Sequence, residues 1–263
     1  MCTVVISLAP AEPMPLLLVG FRDELTGRPW RLPARHWPGS PLVGGRDEQA
    51  GGTWLAVHPQ IPRVACILNA RGAQAPPQTR HSRGELPLRA AAEGQQALND
   101  LHDDLSALAR YDPFLLICAD LSSALMLSWD GTRAALENFE PDQTHVITNA
   151  GHAYPPPAEK APAQPPDPKA AHFGAKFAAH RPDGDPAATI KDAWGDWLTL
   201  ADGDGLSDTD PAAIVVRHEL PDGRVYGTTS VSLVALGAHA LRYDFQSVPA
   251  DPTTWYPVDL QDP

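Results

Sequence analysis

The chain has 263 residues, of which 43% are hydrophobic, and its 20 Lys and Arg against 32 Asp and Glu give a formal net charge of −12. Such a charge repels nucleic-acid phosphates and anionic membrane surfaces, so the sequence predicts neither as a partner. The apolar content excludes wholesale disorder, and no apolar run reaches the roughly 18 residues that a membrane helix needs.

The sequence predicts strands wherever β-branched and apolar runs are bounded by Gly, Pro, Asn or Asp. In chain order these strands are Cys2–Leu8, Pro15–Gly20, Thr53–Val57, Arg63–Leu68, Phe114–Ala119, Ala124–Trp129, Thr144–Thr148, Ala213–His218, Val225–Leu236 and His239–Phe245.

Two helices are predicted between these groups of strands. The first covers Leu88–Arg110, where four leucines share one face, and the second runs from about Asp185 to Leu200. Prolines crowd the region 154–186, which is typical of a long surface connection. Because helices do not alternate singly with strands, we expect an α+β fold in which helices pack outside two antiparallel sheets, within a single domain over 1–263.

Cys2 is the strongest candidate for a catalytic residue. Removal of Met1 is permitted before a small residue, and it would leave a thiol and a free α-amine on the same residue. The amine, with an ordinary pKa of about 7.7–8.0, could accept the thiol proton, so nucleophile and base would be held together. The alternative is that cysteine stands second by accident, and Met-Cys alone favours that alternative.

The second predicted strand is followed by Arg22-Asp23-Glu24, three charges that we expect at its exposed end. Along an extended chain Arg22 and Asp23 point to opposite faces, so one could face the nucleophile. The alternative is a solvated turn with an ordinary ion pair.

Several short motifs in a fixed order make the chain similar to the transport-and-Golgi-organisation-2 family, which is also named for an Asn-Arg-Asp-Glu motif. The matching segments are Met1-Cys2-Thr3, Arg22-Asp23-Glu24, Gly51-Gly52-Thr53-Trp54-Leu55, Leu68-Asn69, Ser82-Arg83-Gly84-Glu85-Leu86, Phe114 to Leu121, Thr148-Asn149 and Tyr226-Gly227-Thr228.

The resemblance implies an N-terminal-nucleophile hydrolase-like fold, a four-layer αββα sandwich of two antiparallel sheets. In related cysteine amidases an N-terminal Cys attacks the amide, an Asp orients its amine, and Asn side chains bind the oxyanion. By resemblance these roles go to Cys2, Asp23, Asn69 and Asn149. Phe21 stands in place of the motif's usual asparagine.

Three further residues are candidates for substrate binding: Arg22, Trp54 and Arg83. Trp54 could form one wall of a site beside Gly51-Gly52, or it could be a core residue after a glycine turn. Arg83 could bind a substrate carboxylate. Ser82 and Glu85 around it have the spacing of a helix capping box.

The three cysteines and ten histidines show no metal-type spacing, so we expect no metal site and no disulfide framework. Cys66 and Cys118, inside apolar strands, are expected to be buried and inert. The N-terminal segment lacks the pattern of a signal peptide, which favours a reducing cytoplasm.

The sequence therefore predicts an N-terminal cysteine hydrolase-like protein that acts on a non-peptide C–N bond of a small molecule, without a cofactor. The alternative is a non-catalytic protein of the same fold that binds or traffics haem or an acyl lipid. The substitution at Phe21 favours that alternative.

Overall fold

The computed structural model describes residues 3–155, 167–247 and 254–260. Met1 and Cys2, residues 156–166 of the proline-rich region, residues 248–253 and the last three residues lie outside these ranges. The nucleophile that the sequence suggests is therefore not among the described residues, whereas its neighbour Thr3 is.

Within the described ranges the chain forms fifteen strands. They are β1 Thr3–Leu8, β2 Leu16–Leu25, β3 Trp30–Ala34, β4 Val43–Asp47, β5 Leu55–His58, β6 Arg63–Asn69, β7 Phe114–Asp120, β8 Ala124–Trp129, β9 Ala134–Asn138, β10 Gln143–Thr148, β11 Gly151–Tyr154, β12 Arg217–Glu219, β13 Val225–Leu236, β14 Leu241–Ser247 and β15 Tyr256–Pro257.

The helices lie in two groups, one between β6 and β7 and one between β11 and β12. The first group follows a 3₁₀ turn at Arg83–Glu85, and the helices in chain order are α1 Leu86–Glu93, α2 Gln96–Asp103, α3 Leu105–Leu108, α4 Pro168–Ala179, α5 Ile190–Trp194 and α6 Asp196–Ala201.

The strands pair into two antiparallel sheets. The first sheet has the order β11-β10-β1-β2-β13-β14-β15, with β12 also paired to β13. The second has the order β3-β4-β5-β6-β7-β8-β9, in which every strand pairs with its neighbour along the chain. Both sheets thus arise from sequence-local hairpins, except where β1 and β2 meet strands from the distant C-terminal half.

Three apolar clusters show how the layers stack. A central cluster joins Val4 and Leu18 of the first sheet to Leu55 and Ile117 of the second. A second cluster packs the other face of the first sheet against α4–α6, and a third packs the second sheet against α1–α3. The result is the four-layer αββα sandwich that was predicted, in which the central strands of each sheet are buried on both faces.

The register of β1 fixes what lies near the start of the chain. Thr3 pairs with Phe21 of β2 on one side and with Thr148 of β10 on the other. Asp23 and Asn149 therefore belong to the two chain segments that flank the first described residue. The pairing of β2 with β13 continues to Leu25, with an irregularity between Thr228 and Ser230.

Several predicted bounds were wrong for identifiable reasons. The helix expected over Leu88–Arg110 is three short helices, because the chain turns at Gly94, where φ is +82°, and again at Asp104. The helix expected from Asp185 is likewise interrupted at Gly195. The connection predicted at 154–186 contains α4, which begins at Pro168 behind the N-cap Asp167.

Two other expectations concern the number of domains and the absence of a membrane-spanning helix. The single-domain organisation stays a prediction. The described residues contain no helix of the length and apolar character that crossing a membrane requires.

Candidate active site

Five of the predicted site residues line one cavity of about 500 Å³ at the end of β2. They are Arg22, Asp23, Trp54, Asn69 and Arg83. They come from both sheets and from the loop before α1, so the fold brings together residues that are up to 61 positions apart in the sequence. The volume lies within the range of small-molecule sites.

Asp23 is a buried carboxylate inside β2, only 4% exposed. Its Oδ1 accepts a hydrogen bond of 2.7 Å from the Thr228 hydroxyl on β13, and its Oδ2 lies 3.9 Å from Nζ of Lys169 on α4. Burying a carboxylate requires hydrogen bonds and opposite charge. The structure supplies both from the neighbouring strand and from the helix layer.

Arg22, the preceding residue, is also buried, and it turns toward the second sheet. Its Nη1 donates to the Thr229 hydroxyl at 2.7 Å, and its Nη2 lies 3.4 Å from Oδ2 of Asp47. Its guanidinium carbon sits 4.5 Å from the centre of the Trp54 ring, within cation–π range. Burial lowers the pKa of Arg22 from its ordinary value. The expectation that these charges lie at an exposed strand end was wrong, although Arg22 and Asp23 do point to opposite faces.

Asp47, at the end of β4, is one of the cavity residues that sequence reasoning missed. Its carboxylate accepts from Nε and Nη2 of Arg28 at 2.6 and 3.1 Å, and from the backbone N–H groups of Gln49 and Ala50 at 3.0 Å each. Burial alone would raise the pKa of Asp47, but the hydrogen bonds and the nearby arginines outweigh it and lower the pKa. Asp47 therefore stays ionised between two arginines.

Trp54 is both a core residue and a wall of the cavity, the two alternatives that the sequence left open. It is buried and belongs to the central apolar cluster, and it also lines the cavity. Its ring meets that of Trp30 edge-on at 5.7 Å. Trp54 is thus a core residue whose face supports the guanidinium of Arg22.

The loop that carries Arg83 is held by close backbone contact. The Thr53 N–H donates to the carbonyl of Gly84 at 2.9 Å. A Cβ on Gly52 would lie 2.3 Å from the Gly84 carbonyl carbon, so only glycine fits there. The Arg83 Nη1 donates to the carbonyl of Pro113 at 2.7 Å, and burial lowers the pKa of its guanidinium.

The capping box predicted around Arg83 is half present. The Ser82 hydroxyl accepts from the Gly84 N–H at 3.2 Å, as an N-cap does. Glu85 instead accepts a hydrogen bond from the hydroxyl of Tyr111. The part of the expectation that assigned Glu85 to the cap was therefore wrong.

Comparison with known proteins decides the family. A model of the family described as "Transport and Golgi organisation 2" matches residues 1–242. The chain belongs to this family. No match was found among curated proteins. Among solved structures, the N-acylethanolamine-hydrolyzing acid amidase ortholog of Caenorhabditis elegans is similar at 12% identity and a TM-score of 0.34, covering 57% of this chain and 70% of that one.

The residues that the family resemblance implied do not all meet at the cavity. Asp23 lines it, and Asn69, exposed at the end of β6, lines it from the second sheet. Asn149 is half-buried just after β10 and is not among the described residues that line the cavity. Thr148 beside it donates to the carboxylate of Asp167 at 3.1 Å.

Neither of the two described cysteines lines the cavity. Cys66 and Cys118 are buried in β6 and β7, and burial raises the pKa of each thiol to about 12. A thiol with such a pKa is almost entirely protonated at neutral pH, so neither residue has the thiolate that a nucleophile needs.

Proposed function

We propose that the protein hydrolyses a non-peptide amide bond of a small molecule, with Cys2 as the nucleophile once Met1 has been removed. Family membership and the αββα scaffold support a hydrolase-like protein. The observation that carries the proposal is Asp23, a buried carboxylate in the cavity wall on the strand that pairs with β1. Its position is two residues beyond Phe21, the partner of Thr3.

Besides removal of Met1, the proposal requires that the chain continue beside β2 for one residue before Thr3. Consecutive Cα atoms are 3.8 Å apart and Thr3 pairs with Phe21, so the α-amine of Cys2 would then lie close to Arg22 and Asp23 of β2. The carboxylate of Asp23 would orient that amine, in the same way that it already accepts from the Thr228 hydroxyl.

The proposed reaction proceeds through an acyl-enzyme. The α-amine takes the thiol proton, the Cys2 sulfur bonds to the amide carbonyl carbon, and the C–N bond breaks as the amine returns the proton to the leaving nitrogen. Water, deprotonated by the same amine, then adds to the thioester, and the C–S bond breaks as the amine returns this proton to the sulfur. The sum is amide plus water to carboxylic acid plus amine.

The oxyanion formed at each addition needs donors, and we propose the side-chain amides of Asn69 and Asn149 for this role. Asn69 supports it by its exposure in the cavity wall. Asn149 supports it by following Thr148, which pairs with Thr3. Loss of one such donor typically costs about 10²–10³ in rate.

The test is hydrolysis of a panel of acylated small amines and amino acids, read by mass spectrometry of the products. We expect Cys2→Ala to abolish turnover and Asp23→Asn to lower it about 100-fold, since positioned acid–base groups contribute about 10²–10⁴. Cys118→Ala, which changes a buried thiol that does not line the cavity, is the control and should keep its activity.

Intact-mass analysis of the active protein completes the test. The proposal requires that Met1 be absent. Full turnover by Cys2→Ala, or activity in protein that retains Met1, would contradict Cys2 as the nucleophile. Absence of turnover in wild type across the whole panel would contradict hydrolysis itself and leave ligand binding, to haem or an acyl lipid, as the function of the scaffold.

A further inference from the structure

Arg83 differs from the other arginines of the cavity wall in its partners. Arg22 and Arg28 both lie within 3.4 Å of the Asp47 carboxylate, and Nε of Arg80 lies 3.2 Å from Oδ1 of Asp112. Among the described residues, no carboxylate lies within 4 Å of the Arg83 guanidinium, and its side chain makes a single hydrogen bond, to the carbonyl of Pro113.

The nitrogens of Arg83 that remain without a protein acceptor form one edge of its guanidinium. The bond to Pro113 uses Nη1, so Nε and Nη2 are left with their N–H groups side by side. Two parallel N–H groups match the two oxygens of a carboxylate. Arg28 shows this match in the same cavity wall, because its Nε and Nη2 bind Oδ2 and Oδ1 of Asp47 at 2.6 and 3.1 Å.

We propose that Arg83 is the recognition site for a carboxylate on the substrate. This inference rests on the proposed function, since it names the class of molecule that the same cavity would take, an N-acyl amino acid or a similar amide with a free carboxylate. The carboxylate would bind the Nε–Nη2 edge of Arg83, and the amide would extend toward Asp23 and the end of β2.

The electrostatics of the wall agree with this geometry. Burial lowers the pKa of Arg83. The negative charges of Asp112 and Glu24 partly offset this by raising the pKa, although neither carboxylate contacts the guanidinium. A half-buried cation without a contacting counter-ion gains more from an entering anion than one that is already paired. Arg22, Arg28 and Arg80 are already paired, which leaves Arg83 for the ligand.

The experiment compares benzoate with benzamide, which share a shape and differ in charge, as ligands of the Cys2→Ala protein. Binding is followed by ¹H–¹⁵N NMR titration, including the Nε–H signal of Arg83. We expect saturable benzoate binding that shifts this signal and benzamide binding at least about 10-fold weaker. Arg83→Gln removes the charge-assisted hydrogen bonds to the carboxylate and should weaken benzoate binding about 10- to 100-fold.

Two further variants separate charge, geometry and folding. Arg83→Lys keeps the charge without the paired N–H edge, so it should bind benzoate with intermediate affinity. Arg89→Gln removes the same charge from an exposed site outside the cavity and should bind benzoate as the parent does. The Nε–H shift in the Cys2→Ala parent gives a readout that does not depend on the folding of any Arg83 variant.

The outcomes distinguish this inference from the proposed function. Equal affinity for benzoate and benzamide, no saturable benzoate binding, or unchanged binding in Arg83→Gln would overturn the carboxylate site even if amides are hydrolysed. If benzoate binds through Arg83 but wild type cleaves no amide, the carboxylate site stands and hydrolysis alone fails.

Discussion

Replacing Asp47 by asparagine removes the negative charge between Arg22 and Arg28 while leaving the size of the side chain unchanged. The Arg22 side chain is 4% exposed, and among the described residues Asp47 is the carboxylate within 4 Å of it. Removing one partner of a buried ion pair costs about 3–5 kcal/mol, because the other charge stays buried alone.

The lower end of that range applies here for two reasons. The Arg28 side chain is 28% exposed, so water screens its bond to Asp47 and the loss of that bond adds little. The amide oxygen of asparagine can still accept from the N–H groups of Gln49 and Ala50. We therefore expect Asp47→Asn to lower the free energy of unfolding by about 3 kcal/mol.

Thermal unfolding at neutral pH measures this loss. At about 2–4 °C per kcal/mol for a chain of this size, the midpoint should fall by about 6–12 °C. The control is Asp222→Asn, which breaks the exposed ion pair with Arg224 and should leave the unfolding midpoint unchanged.

The pH dependence gives the sign of the effect independently. The pKa of Asp47 is held below its ordinary value of 3.8, so its stabilisation is complete above that pH and is lost as the pH falls through the folded-state pKa. The gap between wild type and Asp47→Asn should be constant near neutrality and narrow in acid. A loss under about 1 kcal/mol, or a gap that widens in acid, would refute the reasoning.

Two other predictions concern the cavity loop and the buried thiols. Gly52→Ala should destabilise the protein by about 1–3 kcal/mol in denaturant unfolding, because the new Cβ would lie 2.3 Å from the Gly84 backbone. Gly27→Ala is the control and should leave stability unchanged, because no atom lies within 4 Å of the new Cβ. Iodoacetamide at pH 8 should leave Cys66 and Cys118 unlabelled in the native protein and label both in denaturant, as peptide mass spectrometry would show. Labelling of either residue in the native protein would contradict the raised pKa of the thiols.

The sequence predicted the sheets well where strands are apolar on both faces. β8 over Ala124–Trp129 and β13 over Val225–Leu236 have the predicted bounds, because helix layers and the opposite sheet bury both of their faces. The polar edge strands β3 and β9 were missed, since their half-exposed residues give no apolar run.

The candidate site was predictable in its residues but not in its contacts. Arg22 and Asp23 were found by motif, yet they were placed after β2 because charges usually end a strand. Burial of Arg22 depends on Asp47, 25 residues away, and burial of Asp23 depends on Thr228, 205 residues away, and no local pattern could connect either pair. Likewise, the Asp167-Pro168 start of α4 was concealed by the prolines before it.

Arg83 is anchored at both of its ends, and this has a consequence for any ligand. Its backbone is tied to the second sheet through the bond from Thr53 to Gly84, and its guanidinium is tied to the carbonyl of Pro113. A free arginine side chain carries about 2 kcal/mol of rotamer entropy, and here much of it is already lost on folding. A molecule entering the cavity would meet a cation that is preorganised, so ordering this side chain would take little from its affinity.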